Sequence, residues 1–183
     1  PAQVITSSTA DRAEIRYSAP SDVQAMERLY PMAFPDEDLL PRLRDLVEDA
    51  DRTVSLVGVL DSRIVGHIVF TMCAVDGAHQ NAALLAPLAV APEWQRQGIG
   101  SALVRAGLRR LREGGINVVY VLGDPAYYGR LGFSAERSVR TPYPLPREWA
   151  DAWQSQCIGD AVAPTGGTLS LPEFWLDPAL WSG

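Results

Sequence analysis

Between Pro92 and the apolar run that opens at Ala102, the chain reads Glu93-Trp94-Gln95-Arg96-Gln97-Gly98-Ile99-Gly100-Ser101. Two glycines at the start of a helical pattern need a task, because an interior helical glycine costs about 1 kcal/mol against alanine and a helix start ordinarily favours a capping side chain. Without a Cβ the backbone can approach a bulky group closely. The first N–H groups of a helix are unpaired donors at the positive end of its dipole. Such a stretch has the chemistry of an anion site.

Positioning that loop requires a strand before it and a helix after it. Asn81-Ala-Ala-Leu-Leu-Ala-Pro-Leu-Ala-Val90 has strand composition, and the helix after the loop closes at Gly114-Gly115 with Arg109, Arg110 and Arg112 in its last turns, where cations suit the dipole. Upstream, residues 13–19 read as a first strand. Ser21-Asp22 open an amphipathic helix running to about Ala33, which Pro31 and Pro35 end. A second helical pattern covers Asp36 to Ala50, with Leu39, Leu43, Leu46 and Val47 on one face. Residues 53–60 and 63–75, joined by Asp61-Ser62, read as an antiparallel hairpin. Residues 117–123 form a buried strand. After Arg140 a proline-rich segment breaks the periodicity, and the tail to Gly183 alternates short apolar runs with Gly and Pro. Residues 1–12 are expected to be an N-terminal extension of a single domain, 13–183, with its core over about 13–140 and C-terminal strands and an aromatic-rich tail over 141–183.

The chain has 183 residues, 47% hydrophobic and 21% charged, enough for one full core. A net charge of -6 argues against nucleic-acid binding and favours a cationic partner. The first residues show neither a basic nor an apolar signal region, and nowhere do eighteen uninterrupted apolar residues occur. A cytoplasmic protein that does not enter a membrane is expected. Cys73 and Cys157 each stand without a second Cys or a His at metal-ligand spacing, which points to buried free thiols and no metal.

Three kinds of glycine loop compete. A P-loop requires a lysine, and the chain contains none. A Rossmann fingerprint would need a third glycine where Leu103 stands and a place after the first strand; Asp124 after the next strand matches it in part. An acyl-CoA loop, [QR]-x-x-G-x-[GA] after a strand and opening a helix, matches Gln95, Gly98 and Gly100 in order and context. With "VGHIVF", "LAPLAVAPEWQRQGIGSALV" and "VLGDPAYYGRLGF" in register, the sequence resembles the GNAT superfamily of N-acetyltransferases over most of its length.

The resemblance implies an α/β (α+β) fold: a mixed, mostly antiparallel twisted sheet, flanked by helices and splayed between its fourth and fifth strands, with acetyl-CoA in the splay. It would lay the pantetheine arm along Leu88, Ala89 and Val90, and bring the pyrophosphate to the amides of Arg96, Gln97, Gly98, Ile99, Gly100 and Ser101. Gly98 and Gly100 would admit the anion, and Arg96 could also meet a phosphate. A backbone N–H of residues 88–90 would polarise the thioester carbonyl. Tyr128, four residues before Gly132, stands where the family carries its tyrosine general acid, and a phenol with an ordinary pKa of about 10 keeps its proton at neutral pH. Tyr127 is the rival. On a short helix from Pro125 the two rings would diverge by about 100°, so that both could not face the sulfur.

The general base has no motif. Many family members carry a glutamate in the fourth strand, but residues 81–90 contain no carboxylate. His67, Asp76, His79, Asp124 and Glu173 are candidates, and a strand histidine in an apolar run reads first as a packed residue. The function so implied is direct transfer of acetyl from acetyl-CoA to a primary amine of a small molecule or peptide. A catalytically silent acyl-CoA-binding sensor or partner-binding module on the same fold stays open. The proline-rich segment 141–149 and the tail carrying Trp149, Trp153, Phe174 and Trp175 are expected to complete the acceptor cleft or a homodimer face.

Overall fold

In the computed structural model, residues 7–78 and 81–183 are described. In chain order the elements are α1 (Thr9–Arg12), β1 (Glu14–Tyr17), α2 (Val23–Ala33), α3 (Leu40–Glu48), β2 (Thr53–Leu60), β3 (Arg63–Val75), β4 (Ala82–Val90), α4 (Ile99–Glu113), β5 (Val118–Leu122), α5 (Pro125–Gly129), β6 (Ser134–Ala135), β7 (Trp153–Cys157) and β8 (Leu169–Ser170). The sheet runs β1-β2-β3-β4-β5-β7-β6, with β8 on the far end of β3. All its neighbours are antiparallel except β4 and β5, so the expected mixed sheet is present. Among the described residues no helix is long and apolar enough to cross a membrane.

Strand alternation explains how helices cover both faces. On β2 and β3, Leu56, Ile68 and Phe70 turn toward α4, where Ile99, Leu103 and Val104 complete one buried cluster. Val57 turns the other way, into a cluster with Met26, Leu29 and Tyr30 of α2 and Leu43 of α3. The β2–β3 hairpin turns at Asp61 and Ser62, with φ of 48° and 63°, the left-handed pair that a two-residue hairpin requires.

The expected splay is local and has a visible cause. β4 pairs with β5 from Ala82↔Val118 to Leu85↔Val121 and no further, while on its other edge it pairs with β3 as far as Val90↔Gly66. Pro87 has no N–H to give to a ladder, and β4 carries one residue more than β3 between the pairs Phe70↔Leu85 and Ile68↔Leu88. Beyond Leu85, one edge of β4 therefore faces a gap.

Two expectations need correction. Pro31 does not end α2, which continues to Ala33. In the last turn a proline forfeits one bond, and the Phe34 N–H still closes on the Tyr30 carbonyl at 2.8 Å. α3 spans Leu40–Glu48, shorter than 36–50 at both ends. Pro41 fixes its first turn, Asp38 accepts from the Leu40 N–H, and Thr53 Oγ1 donates to the carbonyls of Leu46 and Asp49 near its end. Past residue 140 the chain adds β7, which lies between β5 and β6, and its Trp153 stacks on Tyr120 at 5.5 Å.

Candidate active site

The loop before α4 is braced by its own glutamines. Gln95 Nε2 donates to the Val90 carbonyl and Gln97 Nε2 to the Glu93 carbonyl, both at 3.0 Å, while Gln97 Oε1 accepts from Thr9 of α1 at 2.8 Å. Arg96 and Gly98 take left-handed φ values of 60° and 86°. For Gly98 this is the conformation that favours glycine. The first bond of α4 runs from the Ala102 N–H to the Gly98 carbonyl at 3.0 Å. The N–H groups of Ile99, Gly100 and Ser101 therefore have no acceptor among the described residues. These donors open on a cleft of about 750 Å³.

Leu88, Val90, Arg96, Gly98, Gly100 and Ser101 line this cleft. Ala89 and Ile99 do not reach it with their side chains: each is 1% exposed and packs into the core, leaving only backbone to offer. Gln97 serves as a brace. Arg105 and Arg130 join the lining unforeseen. Arg105 was within reach of the sequence, because it lies four residues after Ser101 and so on the same helix face. Three guanidinium groups and a row of free amides suit a polyphosphate.

A second cleft, of about 430 Å³, adjoins the first, and Leu88 and Tyr127 line both. Its walls come from distant parts of the chain: Phe34 and Leu39 around the α2–α3 connection, Leu84 to Leu88 of β4, and Trp175 and Trp181 of the tail. Of the tail aromatics singled out in the sequence, Trp175 lines this cleft, and it shares one buried cluster with Trp153. Two charged residues line this cleft, Glu37 and Arg42, and sequence reasoning singled out neither.

Tyr127 and Tyr128 stand edge to face, with centroids 5.0 Å apart and planes at 88°. Despite the turn between them, both border the second cleft. Tyr128 is 9% exposed, packs against Phe133, and makes no hydroxyl hydrogen bond among the described residues. Burial, followed by its neighbour Tyr127, raises its pKa above the ordinary phenol value and holds the proton on. The Tyr127 ring leans toward α4, with Arg130 5.9 Å from its centroid.

The named base candidates lie elsewhere. His67 is fully buried in a chain of hydrogen bonds: Tyr30 Oη to Nδ1 at 2.8 Å, Ser55 Oγ to Nε2 at 2.7 Å, and Ser18 Oγ to Ser55 Oγ at 2.7 Å. Burial pushes its pKa down to about 3, so it is a neutral packed residue. Asp124 caps α5 by accepting from the Ala126 N–H, and Asp76 accepts from the Thr168 N–H. Neither they nor Glu173 line the two clefts. His79 lies outside the described residues. No group of three or more His, Cys, Asp or Glu among the described residues is placed to hold a metal ion.

Comparison with known proteins gives three concordant findings. The model of the acetyltransferase (GNAT) family matches residues 23–133. The uncharacterized N-acetyltransferase YjhQ of Escherichia coli K12 is 35% identical over 145 residues, covering 75% of this chain and 80% of that protein. A crystal structure of the GNAT family N-acetyltransferase YhbS from Escherichia coli, in complex with CoA, superposes with a TM-score of 0.81 at 30% identity, over 91% of this chain and 93% of that one. A GNAT family acetyltransferase from Brucella melitensis, in complex with acetyl-CoA, gives 0.71 at 27% identity, over 89% and 97%.

Proposed function

The chain belongs to the GNAT acetyltransferase family and is an N-acetyltransferase, and on that premise we propose that it transfers acetyl from acetyl-CoA directly to a primary amine held in the second cleft. The observation that carries this reading is the meeting of two clefts at Leu88 and Tyr127, one bordered by unpaired amides and arginines, the other largely apolar. The first suits the cofactor: its residues fit a pyrophosphate, and the free edge of β4 fits the amides of a pantetheine arm.

The thioester supplies an electrophilic carbonyl and a thiol leaving group. Around it the chain has three tasks. A backbone N–H on the edge of Leu88 to Val90 that β5 leaves uncovered polarises the carbonyl. Tyr128, protonated well above neutral pH, gives its proton to the departing thiolate. Glu37, among the described residues the only carboxylate lining the second cleft, takes the proton of the attacking amine through water, the task the fourth strand of this chain has no carboxylate to perform. No covalent enzyme intermediate is required. Cys73 is buried with its thiol pKa pushed up to about 12, Cys157 is exposed and not buried as expected, and neither lines either of the two clefts.

Release of free CoA thiol, followed across a panel of primary amines and amino-terminal peptides with mass detection of the acetylated product, tests the reading. Acetyl-CoA binding in calorimetry with no amine consumed would instead make the chain a silent acyl-CoA-binding module.

A further inference from the structure

Arg42 is the one cation among the residues lining the second cleft. It projects from α3 with its side chain 16% exposed and its guanidinium carbon 5.4 Å from the ring centroid of Trp175. Its Nε is buried and has no hydrogen-bond partner among the described residues. The only ion pair it makes among the described residues is with Asp45, at 3.4 Å, and the Asp45 side chain is 48% exposed. Glu37 shares the cleft but forms no ion pair with it. A guanidinium is always charged and carries five donors in a fixed plane, and a buried donor left unmet is costly. The arrangement is held ready for a planar anion.

The surroundings narrow what carries that anion. Phe34, Leu84, Leu122 and Trp181 make the cleft largely apolar, and its size admits only a compact molecule. We infer that Arg42 receives a carboxylate of the acceptor, so that the acceptor is a small amino acid-like molecule: an amine for acetylation, a carboxylate for Arg42, and an apolar side group between the aromatic walls. This rests on the acetyl-transfer reading for the role of the amine and for nothing else. It also reverses the preference suggested by the acidic net charge. A polycation would meet Arg42 at close range, and the charge of a pocket need not follow that of the whole protein.

Three matched probes separate the parts: phenylalanine, its carboxamide, and 3-phenylpropanoate, which has no amine. In calorimetry on the CoA-saturated protein, 3-phenylpropanoate binds to wild type, and Arg42→Gln weakens it by about 10-fold or more, a typical effect for a charge-assisted bidentate contact. At a pH high enough to free both amines, wild type prefers phenylalanine to its carboxamide by about 10-fold in kcat/KM. Arg42→Gln brings that ratio to within about 2-fold, through KM and with kcat nearly unchanged. Arg42→Lys falls between, since it keeps the charge and loses the planar fork. Unchanged CoA affinity in both variants reports an intact fold. If 3-phenylpropanoate binds in an Arg42-dependent way and no amine is acetylated, the carboxylate site stands and the transfer reading falls. If amines are acetylated with no preference for a carboxylate, transfer stands and the inference falls. An Arg42-dependent preference for succinyl-CoA over acetyl-CoA would place the carboxylate on the acyl donor and overturn the assignment to the acceptor.

Discussion

The Tyr127 hydroxyl occupies space that a side chain on Gly100 would need: a Cβ built there would lie 2.6 Å from that oxygen. The two loop glycines thus have different tasks. Gly98 supplies a left-handed φ, and Gly100 admits the ring that joins the two clefts. Gly100→Ala should leave stability within about 1 kcal/mol, since alanine's better helix propensity offsets part of the clash. It should weaken acetyl-CoA binding by about 10-fold by driving the ring into the cofactor cleft. In a Tyr127→Phe background, where the crowding oxygen is gone, most of that loss should disappear. Equal losses in both backgrounds would show that the hydroxyl is not the obstacle.

At Gly98 the expectation concerns charge and conformation separately. Gly98→Asn should fold and bind acetyl-CoA within about 10-fold of wild type, because asparagine tolerates the left-handed region. Gly98→Glu should abolish detectable binding while the fold survives, because its carboxylate would stand among the amides meant for the phosphate. Calorimetry and circular dichroism decide it. Undiminished binding by a folded Gly98→Glu protein would remove the loop from the cofactor site.

What could be read from the sequence was whatever is encoded locally. Asp61-Ser62 between two alternating runs fixed the hairpin, and Gly98 after a strand fixed the start of α4. Less local features escaped. Pro31 looked like a stop, yet tertiary burial of Met26, Leu29 and Tyr30 holds α2 together through it. β7 follows a long proline-rich excursion, and nothing in its own residues tells that it inserts between β5 and β6. The second cleft was illegible for the same reason. Glu37, Arg42, Leu84 and Trp181 share no spacing, and they meet only because α2, α3 and the tail converge on the gap beside β4.

His67 makes acid stability a test of the core. Its folded pKa, about 3, lies below the ordinary 6.5, so the unfolded chain binds a proton that the native protein refuses. Stability from this group is complete above the unfolded value and falls as the pH drops from about 6.5 toward about 3, by at most about 1.4 kcal/mol per pH unit. Asp22, whose pKa the hydrogen bond from Arg16 lowers, adds its own loss only where carboxylates protonate. Thermal melting from neutral pH to the upper end of the carboxylate range should show the decline in wild type and a flatter line in His67→Gln. Parallel lines would mean that His67 takes up a proton in the fold as readily as in the unfolded chain.

Glu37→Gln should lower kcat by about 10- to 100-fold with acetyl-CoA affinity unchanged, the magnitude expected on removing a proton acceptor that works through water. The deficit should shrink as the pH rises and the free amine becomes the prevailing form in solution. A pH-independent deficit confined to KM would make Glu37 a binding contact for the amine.

The two tyrosines provide the sharpest test of the chemistry. Tyr128→Phe should lower kcat by about 10- to 10⁴-fold and leave acetyl-CoA affinity within a few fold, because a hydroxyl that protonates the leaving thiolate acts in the transition state rather than on the resting thioester. The ring remains, so packing against Phe133 should hold and the melting temperature should stay close to that of wild type. Tyr127→Phe should cost little rate, since its ring and not its acidity joins the clefts. Both rings border the second cleft, which makes the paired comparison necessary. If Tyr127→Phe proves the inactive one, the proton donor is Tyr127 and not Tyr128; if neither slows turnover, the thiolate leaves without an acid. A loss of acetyl-CoA affinity in Tyr128→Phe with kcat intact would reduce the hydroxyl to a binding contact, and the buried proton that its environment holds in place would have no part in the reaction.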